Sequence, residues 1–196
     1  MVKKCGESEI PHTLLFKLYQ SRKSFITFLA GCTIIFFFST RAHAADDIYQ
    51  SPTDFLEEAF SGKVPDPEVI WFDASIRKDI KKILGHKFPG IRVRFWPKEN
   101  KTAWILEEIG KYKPITVGFL INEGSIEQVK VLVYRESHGW EVRYPFFTNQ
   151  FKDLRLNSDQ TLSHGVDGIS GATLSVNALT RLARLALYLH NLSLDL

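Results

Sequence analysis

Cysteine and methionine are nearly absent from this 196-residue chain. Both cysteines, Cys5 and Cys32, fall within the first 44 residues, and Met1 is the only methionine. A chain beginning after Ala44 would hold neither. That excludes disulfides, thiolate zinc sites, iron–sulfur clusters, c-type haem attachment and methionine-ligated haem, so any redox chemistry would require an organic cofactor. A concentrated basic field is also missing. Residues 1–44 carry six basic side chains (Lys3, Lys4, Lys17, Arg22, Lys23, Arg41) and two acidic ones (Glu7, Glu9). Taking these from the totals of 25 and 22 leaves 19 basic and 20 acidic residues beyond that point, close to −1. Nucleic-acid surfaces need clustered positive charge, so no nucleic-acid partner is expected.

What is present begins with a leader. Phe25 to Phe38 is an uncharged run of fourteen residues, preceded by Arg22-Lys23 and followed by Ala42-His43-Ala44. This is the order of a basic segment, an apolar core and a small-x-small cleavage site, so 1–44 is expected to be an export signal cut after Ala44. An uncleaved anchor is the alternative. Its length counts against it, since fourteen helical residues rise about 21 Å while the hydrocarbon core is about 30 Å thick. Leu29-Ala30-Gly31-Cys32 also resembles a lipobox with Cys32 as the acylated residue, but most of the apolar run follows that cysteine rather than preceding it.

The remainder reads as one α+β domain, an antiparallel sheet covered by helices. The full chain's 44% hydrophobic and 24% charged residues are ordinary for a globular protein, and no repeat or Gly/Ser linker interrupts the remainder. Ser51-Pro52-Thr53-Asp54 places a cap, a first-position proline and an acid ahead of Phe55, Leu56 and Phe60, which predicts a short helix. Val69 to Phe72 reads as a strand, and Ile76, Ile80, Ile83 and Leu84 mark an amphipathic helix from Asp73 to Gly85. From Ile91 to Val142 the period changes to two. Ile115, Val117, Phe119 and Ile121 alternate, and Val129, Val131 and Val133 answer them after a turn at Asn122-Glu123-Gly124. Arg92 to Trp96 and Thr102 to Ile109 add two strands, with a helical turn over Ile105 to Ile109 as the alternative. Leu174, Ala178, Leu182, Leu185, Leu189 and Leu192 predict a final helix from Thr173, with Asn177, Arg181, Arg184, Tyr188 and Asn191 opposite. Residues 45–112 form the first part of the domain, without a motif that points to chemistry, and 113–196 the part that carries one.

That motif is Asp167-Gly168-Ile169-Ser170-Gly171-Ala172-Thr173-Leu174-Ser175. Physically it is a small-residue turn that delivers Thr173 to a helix N-terminus. Gly168 and Gly171 permit tight backbone geometry and close approach by a bulky group. Free first-turn amides and the helix dipole suit a phosphate at Thr173. Asp167 and Ser170 can hold the turn by local hydrogen bonds, and the plain alternative is that Ser170 is an ordinary N-cap. The complete string closely resembles the Asp-Gly-x-Ser/Thr-Gly-Ala-Thr motif of the FMN-binding domain family. That family is found in the flavin-bearing C and G subunits of sodium-pumping NADH:quinone reductase and Rnf-type complexes. The resemblance implies an FMN joined through its phosphate to the hydroxyl of Thr173, a bond made from FAD by a separate periplasmic flavin transferase that uses a divalent metal. Thr173 would then be an acceptor, with no catalytic residue of the chain's own, and Asp167, Gly168, Ser170, Gly171, Ala172 and Leu174 would form the surrounding motif.

A second, shorter likeness lies at Arg135 to Glu141. Glu136, Ser137 and Gly139 match in kind a Glu-Thr-Pro-Gly-Leu-Gly segment that family members carry near the flavin, while His138 and Trp140 do not. Trp140 is a candidate to stack on the isoalloxazine ring, with ordinary packing in the sheet as the alternative. Gln150-Phe151 resembles a Gln-Phe pair of the family. The resemblance implies periplasmic or membrane-bound electron-transfer partners, and a location in the periplasm or on the periplasmic face of a bacterial inner membrane. A reductase of a small substrate and a non-redox sensory or assembly module are the competing readings. His86, His138, His164 and His190 lack metal-ligand spacing, so solvated or packed histidines are expected.

Overall fold

The computed structural model describes residues 46–194, so the leader, both cysteines and the expected cut after Ala44 lie outside the described residues. Six strands form one antiparallel sheet: β1 (Asp47–Ile48), β2 (Glu68–Trp71), β3 (Arg92–Lys98), β4 (Lys101–Ile109), β5 (Pro114–Asn122) and β6 (Ser125–Tyr134). Their order across the sheet is β1-β6-β5-β4-β3-β2. The helices are α1 (Pro52–Ala59), α2 (Ala74–Leu84), the short α3 (Pro145–Thr148) and α4 (Thr173–Ser193). The described residues make a single α+β domain, as the patterning predicts.

Local chemistry explains the boundaries. Ser51 caps α1 by accepting the Asp54 amide at 3.1 Å, with Pro52 at the first helical position where its missing N–H costs nothing. Asp73 caps α2 by accepting the Ile76 amide at 2.7 Å, and Gly85 ends it with φ +82°. The β5–β6 hairpin turns on Glu123 and Gly124, both with positive φ (50° and 75°), the conformation of a two-residue turn matched to strand twist. β4 remains a strand through Ile109, because it pairs with β5 from Lys101↔Asn122 to Ile109↔Pro114. The helical alternative over Ile105 to Ile109 is thereby set aside.

Two layers cover the sheet. α4 packs across β4 and β5 and against α2, and its Leu179, Leu182, Leu185 and Leu189 share the main core with Phe95, Trp104, Val117, Phe119 and Val131. α1 lies on the other face, where Phe55, Leu56 and Phe60 meet Ala103, Leu120, Leu132 and Val133. β5 is therefore buried on both sides from Ile115 to Ile121. Gly118 is a requirement of that packing, because a Cβ there would lie 2.8 Å from the Phe55 ring.

Two expectations are corrected, and one alternative is set aside. Sheet structure ends at Tyr134 rather than near Val142, since Gly139 takes φ +86° and residues 140–143 form a 3-10 turn. Ser170 does not cap α4; Ala172 occupies the cap position and contributes no side-chain bond. Leu174 is half exposed rather than part of the buried stripe and faces a surface cavity, while Ser175 and Val176 of the same turn are buried. Farther along, α4 is buried on most of its circumference. Even Tyr188 is drawn in, donating its hydroxyl to Asp79 of α2 at 3.1 Å.

Candidate functional site

Three segments distant in sequence meet at one end of the sheet. They are the β4–β5 turn at 110–113, the segment 135–139 that leaves β6, and the turn and first helical residues at 171–175. Together they line a cavity of about 470 Å³, bordered by Lys111, Tyr112, Glu136, Ser137, His138 and residues 171–175. That volume lies in the usual range for small-molecule and cofactor sites.

The wall around Thr173 is built by backbone geometry. Gly171 has φ +82° and the Ala172 amide donates to the Ile169 carbonyl at 3.0 Å, a tight turn that leads straight into α4. Thr173 is the first helical residue and is exposed. The first helical bond runs from the Val176 amide to the Ala172 carbonyl at 3.0 Å, and the cap supplies no side-chain acceptor. The amides of Thr173, Leu174 and Ser175 are therefore open at the positive end of a 21-residue helix. Open first-turn amides of this kind are suited to an anion such as phosphate.

The 135–139 segment is fastened to this helix from below. Tyr134 donates its hydroxyl hydrogen to the His138 carbonyl at 2.6 Å, so Ser175 must be the donor in the 2.8 Å bond between the two hydroxyls. Burial, the largest influence, pushes the Tyr134 phenol above its ordinary value and keeps it a donor. Gly139 fits against both groups: an added Cβ would lie 2.7 Å from Ser175 Oγ and 3.0 Å from Tyr134 Oη. Any side chain there would push the segment off the helix.

The third wall is held by Glu136. Its Oε1 accepts the amides of Lys111 at 2.6 Å, Tyr112 at 2.5 Å and Lys113 at 2.8 Å. Burial opposes the charged form, but these three donors outweigh it and hold the carboxyl below its ordinary value.

The residues singled out from sequence separate into three groups. Thr173, Gly171, Ala172, Leu174, Glu136 and Ser137 border the cavity, and Gly139 lies against Ser175 just beneath it. Trp140 borders a neighbouring cavity of about 450 Å³ instead, with its ring edge-on to Tyr144 at 5.8 Å and Arg143 5.2 Å from its centroid. Asp167, Gly168 and Ser170 do not line the cavity. Asp167 is exposed, and its amide donates to Gln150 Oε1 at 2.7 Å, which gives the Gln150-Phe151 pair a role in holding the motif. Nothing lies within 4 Å of a Cβ built at Gly168 or Gly171, so the motif presents an open surface. Lys111, Tyr112 and the Tyr134–Ser175 pair were not evident in sequence. A Lys-Tyr-Lys turn between strands has no distinguishing pattern, and its partner Glu136 is more than twenty positions away.

The histidines do not gather. His86 bridges the Lys87 carbonyl and the buried Glu108, which raise its pKa in that order, and Arg181 binds Glu108 from α4 at 3.0 Å. His190 is buried, while His138 and His164 are exposed. No group of three or more His, Cys, Asp or Glu side chains among the described residues is arranged to hold a metal. A larger cavity, about 720 Å³, lies beside α1 and shares no lining residue with the one at Thr173. Its carboxylates Glu58 and Glu127 are already paired with Lys130 and Lys101. Size is thus a poor guide here, and the open amides single out the smaller cavity.

Residues 110–188 match the model of the FMN-binding domain family. Over that span the chain resembles an FMN-binding domain. The matched span includes every residue that lines the Thr173 cavity. Among solved structures, the chain is similar to the crystal structure of Shewanella oneidensis NqrC, with 16% identity and a TM-score of 0.48, over 66% of this chain and 81% of that one. No curated protein matches the sequence. The residues around the cavity fit FMN: open amides for its phosphate, an aromatic side chain and a lysine on the facing turn, and adequate volume.

Proposed function

We propose that this chain is an exported electron-transfer flavoprotein with one FMN joined by a phosphoester to Thr173 Oγ1. The observation that carries this reading is the position of Thr173: an exposed hydroxyl at the start of α4, on the rim of the FMN-domain cavity, beside three open amides. Bound FMN supplies transfer of one or two electrons. The chain's own residues bind and orient it. The amides of α4 receive the phosphate, and the Gly168 and Gly171 surface leaves room for the attaching enzyme.

Among the described residues no carboxylate or imidazole hydrogen-bonds to Thr173, so none of them is placed as a base to activate that hydroxyl. This supports dependence on a separate flavin transferase. In that reaction the Thr173 Oγ1–phosphorus bond forms, the pyrophosphate bond of FAD breaks, AMP leaves, and the hydroxyl proton passes to a base of the transferase. The remaining partners are periplasmic or membrane-bound redox proteins, in keeping with the leader's export pattern.

Intact mass after co-production with a periplasmic flavin transferase tests this reading. The expected result is a gain of one FMN less water, absent in Thr173→Ala and retained in Thr173→Ser. Identical flavin-free masses for the wild type and Thr173→Ala, with transferase shown to be active on another acceptor, would remove the proposal.

A further inference from the structure

Tyr112 is the one phenol or indole side chain bordering the Thr173 cavity among the described residues, and it is 76% exposed. Exposed aromatic rings on turns are usually carried by loosely held backbone, but this one is not. Three consecutive amides, its own included, converge on Glu136 Oε1 at 2.5–2.8 Å, and the Gly110 amide closes the turn onto the Lys113 carbonyl at 3.2 Å. The turn is also seated closely: a Cβ at Gly110 would lie 3.3 Å from Glu136 Oε1 and 3.2 Å from Ile115 Cδ1. Lys111 Nζ stands 4.8 Å from the centre of the Tyr112 ring, over one face, which leaves the other face free. Trp140 is less exposed, at 40%, and its ring meets both Tyr144 and Arg143 in a neighbouring cavity that shares Tyr112, Glu136 and Ser137 with this one.

We propose that Tyr112 stacks its free face on the isoalloxazine ring and that Glu136 is the positioning residue that holds it there. This rests on FMN attachment at Thr173. Planar aromatic groups gain most from offset stacking on a surface already fixed in place, because little conformational freedom is then lost on contact. The Glu136 clamp fixes the turn before the ring arrives. It also joins the Tyr112 turn to the 135–139 segment, which Tyr134 and Ser175 fasten to the helix that bears Thr173. Ring and attachment point are thereby held at a set separation.

The test uses full-length protein co-produced with the transferase, with FMN content of each variant fixed by intact mass and folding checked by far-ultraviolet circular dichroism. Flavin fluorescence and visible circular dichroism are then read before and after denaturation. A phenol in contact with isoalloxazine quenches its fluorescence by electron donation, and a phenyl ring does not. Wild-type fluorescence is expected to rise several-fold on denaturation. Tyr112→Ala should show that rise already in the folded state, and Tyr112→Phe should lose quenching but keep the visible dichroism of a stacked ring. Glu136→Ala should behave as Tyr112→Ala although Tyr112 is present, and Glu136→Gln, whose amide oxygen still accepts, should retain quenching. FMN-loaded Tyr112→Ala with wild-type fluorescence and dichroism overturns the inference and leaves attachment at Thr173 standing. If only Glu136→Ala matches the wild type, the positioning role falls. Absence of FMN from wild-type Thr173 overturns both this inference and the reading beneath it.

Discussion

His190 is fully buried near the C-terminal end of α4, and its hydrogen bonds define its protonation. Nε2 accepts the Gly124 amide at 3.1 Å, so the ring proton is on Nδ1 and is donated to Thr102 Oγ1 at 2.7 Å. Thr102 Oγ1 also accepts Trp104 Nε1 at 2.8 Å. A second proton on the ring would face the Gly124 N–H and break this bond. Burial accordingly lowers the His190 pKa below its ordinary 6.5. The folded pKa is the depressed one, so the unfolded chain takes up this proton first as pH falls. The stability held by neutral His190 is complete above pH 6.5 and is lost progressively below it. Urea denaturation of the wild type and His190→Gln between pH 5 and 8 checks this. The wild type should lose stability below pH 6.5 with a component absent from the variant, and parallel profiles would count against it.

At the scale of elements, the fold depends on how closely α1 approaches β5. Phe55 is completely buried, and its ring fills the space left by the missing side chain of Gly118. A methyl group at Gly118 would meet three ring carbons at 2.8–2.9 Å. A buried phenyl ring between helix and sheet cannot swing aside as a surface side chain would. Gly118→Ala is therefore expected to destabilise the domain by about 1–3 kcal/mol, the usual cost of overpacking a filled core. Adding Phe55→Leu should recover part of that loss, since the contact is local. Chemical denaturation of the two single variants and the double variant measures both effects. An unchanged midpoint for Gly118→Ala would show that α1 can shift.

Considered together, the described residues form a sheet clamped between α4 on one face and α1 on the other, with the Thr173 cavity at the end where α4 begins. Burial is deepest along β5, which has strands on both edges and helices on both faces. β1 is a two-residue edge strand with both residues exposed. Local opening follows burial and neighbour contacts, so native-state hydrogen exchange should be slowest for amides at 117–121 and fastest at 46–48 and 61–67. Exchange at 111–113 should be slower than in an ordinary exposed turn, because those amides are bound by Glu136. Rapid exchange there would mean that the clamp is open in solution.

The sequence by itself determined what periodicity and caps can specify. Ser51, Asp73, the Asn122 to Gly124 turn and the leucine spacing of α4 each act within a few residues, so these elements were legible without coordinates. The Asp167 to Thr173 string was legible for the same reason, as a contiguous turn into a helix. The tertiary structure decided the rest, because it depends on contacts between residues far apart in the chain. The end of β6, the exposure of Leu174, the removal of Trp140 to a neighbouring cavity, and the meeting of Tyr112, Glu136 and Thr173 all follow from how the sheet and α4 come together. No local pattern encodes that Lys111, Tyr112 and Lys113 bind a carboxylate more than twenty positions away. Antiparallel pairing sets the β4–β5 turn beside the end of β6, and burial on both faces of β5 keeps it there.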